Sequence, residues 1–256
     1  MIDLTISDGV AHVVLNAPEK RNALDVAGLA ELSTAYDEAA AADVRALVLR
    51  GEGAGFCAGR DIAGVDPSTD DVTGYLDGLV TPLLQKMSAF PAPTFAAAHG
   101  ACLGVGLGLL IATDVVYVAD TAKIGSPFAA LGATLDSGGH ALFFDRLGAH
   151  KTLDLIYTGR LMSGTEAVQS GLFSQVLPAA EVVAATDAAA SRAAVGATQA
   201  FLASKRLIAK LRDERLALWD AVAEENANQA SLRDTADYRE GLAAFQQKRP
   251  PEFTGR

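Results

Sequence analysis

The sequence predicts an α/β fold built on parallel strands, with a helical region appended at its C-terminal end. Three observations predict it. Strand-length apolar runs, glycine-bearing loops and helix-length segments follow one another at least twice between residues 44 and 120, the order that lays strands side by side with helical crossovers. Half of the 256 residues are hydrophobic, enough for a substantial core. After about residue 180 the β signal almost stops, and alanine-rich, charged, helix-periodic sequence runs on to "KRPPEF".

Each element has its own signal. Residues 2–6 and 10–15 are apolar runs divided by Asp8-Gly9, which marks a hairpin. In "LDVAGLAELSTAYDEAAAA" (24–42), Leu24, Leu29, Leu32, Tyr36 and Ala39 fall near one helical face. "VRALVLRG" (44–51) reads as a buried strand ending in glycine, followed by a glycine loop and a helix across 71–89. "PTFAAAHG" (93–100) is a strand, "GLGLLIAT" (106–113) a short helix and "DVVYVAD" (114–120) another strand. Ser163-Gly-Thr-Glu166 has capping-box spacing and opens a short helix, after which "FSQVLP" (173–178) is the last strand. The division expected is a core over 1–195 and a helical region over 196–256 that covers the site and joins subunits.

Composition removes several classes of function. A formal net charge of −10 argues against nucleic acid or an anionic membrane as partner. The two cysteines, Cys57 and Cys102, give no disulfide framework, which suits a reducing, cytoplasmic compartment. "MIDLTISDGVAHVVL" lacks the basic start and apolar core of a signal peptide. Residues 87–113 are uncharged and long enough to span a bilayer, yet Pro91, Pro93, His99 and the glycines divide them into a strand, a turn and a short helix. His12, His99 and His150 show no ligand spacing, so no metal is expected.

Two glycine loops and one carboxylate carry the chemical signals. "G53-A-G-F-C-A58" matches a dinucleotide fingerprint, which requires a helix at once and an acidic residue after a strand some twenty positions on. The next stretch is instead "RDIAGVDPSTDDVTG", where Gly64, Pro67 and Gly74 signal a loop and no strand precedes Asp70 or Asp71, so a cofactor site is not expected there. A second loop, "H99-G-A-C-L-G-V-G-L-G108", runs into the short helix. If both loops face one cleft, two backbone N–H groups can converge on one oxygen, and losing one such donor costs about 3–4 kcal/mol of barrier. The alternative is two unrelated structural turns. Between Lys123 and Asp145 the only formally charged residue is Asp136, in "G125-S-P-F-A-A-L-G-A-T-L-D-S-G-G-H140". It is either the N-cap of a helix beginning "SGGHALFF" or a reactive acid. His140, four residues on, is either a bonding neighbour of Asp136 or a partly exposed helix residue.

The chain resembles the enoyl-CoA hydratase/isomerase (crotonase) superfamily along its whole length. The resemblance lies in "EKRNALD" (19–25), "GFCAGRDI" (55–62), "HGACLGVGLGLLIATDVVYVAD" (99–120), "GSPFAALG" (125–132), "TGRLMSGTEAVQSGLFSQVLP" (158–178) and "FQQKRPPEF" (245–253). It implies a spiral of repeated β-β-α units, trimers or paired trimers, and acyl-CoA thioester substrates, with coenzyme A arriving as part of the substrate and no separate cofactor. It also implies an oxyanion hole from the N–H groups of Arg60 and Val105, inside a substrate-binding frame of Ala58, Gly59, Asp61, Ile62, Gly106, Phe128 and Leu131. Arg21 and Lys248 become candidates for the phosphate and nucleotide end of coenzyme A.

The departures from the family pattern are chemical. Hydratases of the superfamily use two glutamates, and their positions here hold Gly108 and Phe128. Adding water needs a base for the water and an acid for carbon, and neither residue can move a proton. The chain is more similar to Δ3,Δ2-enoyl-CoA isomerases with a "PF…LG" turn, whose single acid lies eight residues past the phenylalanine. Counted from Phe128, that position is Asp136. Burial among Phe128, Leu131 and Leu135 is expected to raise its pKa. The expected activity is the shift of a 3-enoyl-CoA double bond to 2-enoyl-CoA. The alternatives are hydration or other enolate chemistry by atypical groups, and a catalytically silent acyl-CoA-binding protein.

Overall fold

The computed structural model describes residues 1–66 and 68–256; Pro67, one of the loop signals, lies outside the described residues. The first two strands, β1 (Ile2–Ser7) and β2 (Val10–Leu15), form the expected hairpin. Asp8 and Gly9 both take positive φ, 51° and 75°, as a two-residue turn matched to strand twist requires. Helix α1 (Val26–Ala41) is capped by Asp25, whose side chain accepts from the Gly28 N–H. It leads to β3 (Ala46–Gly51).

The helix expected over 71–89 is broken. A short α2 (Val72–Tyr75) passes into a π turn (Leu76–Val80) before α3 (Thr81–Ser88). The cause is Pro82, which removes a donor and crowds the carbonyl four residues back, so the ladder re-spaces and the Thr81 N–H donates to Leu76 O. The chain continues through β4 (Thr94–Ala98), β5 (Ala101–Leu103), α4 (Val105–Ile111), β6 (Val115–Ala119) and β7 (Lys123–Gly125). A 3₁₀ turn (Phe128–Leu131) precedes α5 (Gly139–Thr158), which is kinked at Gly148. Then come β8 (Met162–Ser163), α6 (Gly164–Gln169), β9 (Gln175–Leu177) and α7 (Val182–Ala194). Ser163 caps α6 as expected, but Glu166 forks onto Arg160 instead of reaching back, so only half the capping box forms.

The main sheet has the order β1-β2-β3-β4-β6-β9, parallel from β2 onward. A second, small sheet of β5, β7 and β8 stands beside it. One face of the main sheet packs on α1, where Leu29, Leu32 and Tyr36 meet Leu47 and Leu49 in the large core. The other face packs on α7, where Ala189, Ala190 and Ala194 meet Val48 and Phe95. Alanines on both sides let helix and sheet backbones come close, which is what much of the alanine enrichment supplies. Helices α8 (Thr198–Glu214), α9 (Leu218–Leu232) and α10 (Ala236–Gln247) complete the chain. Among the described residues no helix is long and apolar enough to cross a membrane.

Candidate active site

The two glycine loops lie side by side. The Cys57 N–H donates to Ala101 O at 2.9 Å and the Leu103 N–H to Cys57 O at 3.0 Å, forming a parallel bridge between Cys57 and Cys102. Glycine is required for this approach. A Cβ on Gly106 would stand 2.5 Å from Cys57 O, and one on Gly59, already at φ +102°, 3.0 Å from Leu103 O. Gly59 O accepts from the Leu24 N–H at 2.8 Å, and the Asp61 N–H donates to Leu24 O at 2.9 Å. Arg60 sits between those two bonds, so its own N–H faces away from Leu24. Val105 opens α4, where a helix leaves its first N–H groups unpaired. Among the described residues neither the Arg60 N–H nor the Val105 N–H has an acceptor.

The acid stands on the segment before α5. That segment packs directly on α4, because Gly108 has no side chain: a Cβ there would lie 2.5 Å from Ser137 Cβ. Asp136 is half-buried, and its Oδ1 is sealed from solvent with no hydrogen-bond partner among the described residues. Burial pushes the Asp136 carboxyl above the usual aspartate range, against the opposing pull of the Ser137 hydroxyl and the Arg60 charge. The capping reading fails. Helix α5 begins at Gly139, Gly138 occupies the cap with no side-chain bond, and the left-handed residues Ser137 and Gly138 separate Asp136 from the helix.

The walls also differ in part from expectation. Leu135 is buried, and the Phe128 ring lies against Gly104, 3.2 Å from where a Cβ would stand. Leu131 is 62% exposed and does not bury the acid. His140 is exposed, and its Nε2 faces Thr134 Oγ1 at 3.4 Å rather than Asp136.

Of the remaining expected residues, Ala58 and Asp61 help build the loop. The Ala58 N–H donates to Arg21 O at 3.0 Å, and the Asp61 carboxylate meets Lys20 at 3.2 Å. Ile62 is half exposed. Arg21 and Lys248 are both exposed at left-handed positions and form no ion pair among the described residues, but no contact brings them together. Sequence reasoning missed three residues. Asn22 is fully buried, accepts from the Ala17 N–H at 2.8 Å and donates to Glu52 O and Gly55 O at 2.9 and 2.8 Å. Asp70 forks onto the Arg60 guanidinium at 2.9 and 2.6 Å. Tyr75 lies under that guanidinium, 4.1 Å from ring centroid to Cζ. The signal for Asn22 was its place in the "EKRNALD" run (19–25) that carries the family resemblance; Asp70 and Tyr75 had none. A cavity of about 820 Å³ opens elsewhere, between α8 and the α4–α5 side of the core, and Asp136 does not line it.

Residues 5–256 match the enoyl-CoA hydratase/isomerase family. A protein of Rhodobacter capsulatus named "Probable enoyl-CoA hydratase" is 34% identical, over 98% of this chain and 96% of its own length. The 1,2-epoxyphenylacetyl-CoA isomerase of Escherichia coli is 30% identical, over 98% and 97%. The crystal structure of an enoyl-CoA hydratase from Bacillus anthracis superposes with a TM-score of 0.90 at 27% identity, covering 100% of this chain and 99% of that one.

Proposed function

The chain belongs to the enoyl-CoA hydratase/isomerase family, and within it we propose an isomerase that moves the double bond of a 3-enoyl-CoA to the 2-position, with Asp136 as the single proton carrier. The thioester oxygen accepts from the Arg60 and Val105 N–H groups. The ionised Asp136 takes a proton from C2, and the electrons pass into a dienolate whose charge gathers on that oxygen. Protonated Asp136 then returns the proton to C4, the C2–C3 double bond forms, and no water or redox partner is consumed. Coenzyme A is part of the substrate; Arg21 and Lys248 are the cations proposed for its phosphates. The proposed assembly is a homotrimer or a pair of trimers, in the cytoplasm.

One observation carries the reading. At Gly108, where a hydratase glutamate would stand, a side chain has no room against Ser137, while Asp136 beside it keeps a buried, unpartnered carboxylate oxygen. One acid that must both take and give a proton gains from a pKa raised above that of a free carboxylate. The test is incubation with 3-enoyl-CoA thioesters of several lengths, following the absorbance of the conjugated product. Conjugated product from wild type and none from Asp136→Asn supports the reading; equal rates overturn it. Formation of a 3-hydroxyacyl thioester from 2-enoyl-CoA would favour the hydratase named among the relatives. Coenzyme A affinity without turnover would favour a binding protein.

A further inference from the structure

Resting on the isomerase reading, we propose that Asp70 is a positioning residue: together with the Tyr75 ring it clamps the Arg60 guanidinium, fixing the Arg60 N–H for the thioester oxygen and keeping the cation off the Asp136 carboxylate.

The geometry is that of a clamp. Arg60 Nη1 and Nη2 donate to Asp70 Oδ2 and Oδ1 at 2.9 and 2.6 Å, and Arg60 Cζ lies 4.1 Å from the Tyr75 centroid. The Arg60 and Asp70 side chains are 23% and 17% exposed, and Tyr75 is buried. A guanidinium bonded through its fork and stacked on a ring has little freedom left. Because the same residue supplies a candidate oxyanion donor, holding its side chain also holds its backbone.

The second half of the proposal answers a puzzle at Asp136. A buried carboxylate oxygen with no partner, within range of an arginine's charge, would ordinarily draw that arginine in. Arg60 feels both carboxylates, and Asp70 holds it. Ser137, next to Asp136, has a buried hydroxyl with no partner of its own among the described residues, and its pull offsets the effect of burial on Asp136 only in part. The polar groups of the surrounding loops are committed elsewhere. Lys20 lies 3.2 Å from both Asp25 and Asp61, and His140 faces Thr134. The Tyr75 hydroxyl reaches Leu24 O at 3.5 Å, and the Cys57 thiol bonds within its own loop to Gly59 O. With the Asp70 charge removed, the guanidinium turns to Asp136. The proton carrier then becomes a weaker base, and the oxyanion donor loses its anchor.

The decisive measurement is a ¹³C-carboxyl NMR titration of Asp136, its resonance assigned by loss in Asp136→Asn. It is made on wild type, Asp70→Asn and the double variant Arg60→Met/Asp70→Asn. The midpoint falls by about one pH unit or more in Asp70→Asn, as for a carboxylate gaining a close cation, and returns to or above the wild-type value in the double variant. With 3-enoyl-CoA, kcat falls about tenfold in Asp70→Asn, the cost of roughly one charge-assisted hydrogen bond. It recovers in part in the double variant and is largely kept in Asp70→Glu. A merely structural Asp70 would lower activity in both variants and leave the midpoint where it was. An unmoved midpoint in Asp70→Asn overturns the proposal. A wild type that does not shift the double bond overturns the isomerase reading instead, and the titration still decides the clamp.

Discussion

At the scale of single residues, the role proposed for Asp136 sets stability against function. Burial raises its pKa, so the protonated form is the one the folded site prefers. Its stabilising contribution is full below the pKa of a free aspartate, about 3.9, and is lost as pH rises through the higher folded value. The proposed proton abstraction needs the ionised form, so kcat/KM is expected to climb with pH through that same value. Asp136→Asn is therefore expected to lower kcat by about 10²- to 10⁴-fold while raising Tm at pH 7, with the Tm gain vanishing toward pH 3. Calorimetry at both pH values checks this, and a Tm that falls at pH 7 contradicts it. Asn22 is the opposite kind of residue. It touches no reacting atom, yet three hydrogen bonds from one buried amide tie residue 17 to the loop at 52–55. Asn22→Ala leaves those backbone groups unpaired and is expected to cost about 3 kcal/mol, a fraction of the sum for three buried groups, read from urea unfolding.

At the scale of elements, the site depends on two backbones touching, and the glycines that permit it respond differently to substitution. On Gly106 a Cβ would meet the Cys57 carbonyl oxygen at 2.5 Å, which is backbone of the neighbouring loop. On Gly108 it would meet the Ser137 side chain and push the segment carrying Asp136. Each alanine variant is expected to cost about 1–3 kcal/mol, as overpacking does. Gly106→Ala should weaken substrate binding and kcat together through the proposed oxyanion pair, while Gly108→Ala should lower kcat and spare coenzyme A affinity by calorimetry. Equal behaviour of the two would mean that the loops move as one unit. The same close contacts explain what could be read in advance. The hairpin, α1 and the strands of the main sheet announce themselves through turn residues and apolar periodicity. The strands β5, β7 and β8 do not, because two or three residues held only by a neighbouring edge carry no period. Arg60, Val105 and Asp136 became candidates through family resemblance and a count from Phe128, not from local pattern, which pointed to a helix cap at Asp136. Asp70 and Tyr75 return to Arg60 through an irregular loop and a π turn, a path that no spacing rule follows.

For the whole molecule, two side chains join the sheet region to the last helices: Arg45, and Lys205 of α8, which meets Asp114 at 2.9 Å and donates to Phe90 O and Ala92 O at 3.0 and 3.3 Å. Arg45, just before β3, donates through Nε to Thr198 Oγ1 at 3.2 Å, through Nη1 to Phe253 O at 3.0 Å, and through Nη2 to Gly196 O. It thus holds the start of α8 and the C-terminal tail at once. The tail is fastened separately to α10 by the buried Asp237, which accepts from the N–H groups of Thr254 and Gly255 at 2.7 and 2.8 Å. Arg249 forks onto Glu240 at 2.6 and 2.8 Å and adds a more exposed fastening. The two sets of bonds are distinguishable. Arg45→Ala cuts one tie to the core but leaves the tail on α10 and α8 held by Lys205 at Asp114, whereas Asp237→Ala loosens the tail at Thr254 and Gly255 and leaves α8 anchored. Charge-assisted bonds of this kind contribute about 1.5–3 kcal/mol each, so losing the Arg45 set is expected to speed amide exchange about tenfold or more. The faster exchange should appear at residues 196–200 and 252–256 and leave β2, β3 and β4 unchanged. Asp237→Ala should speed 252–256 alone. If Arg45→Ala instead speeds exchange across the main sheet, Arg45 belongs to the folding core of the strands and the helical region is not a separable layer.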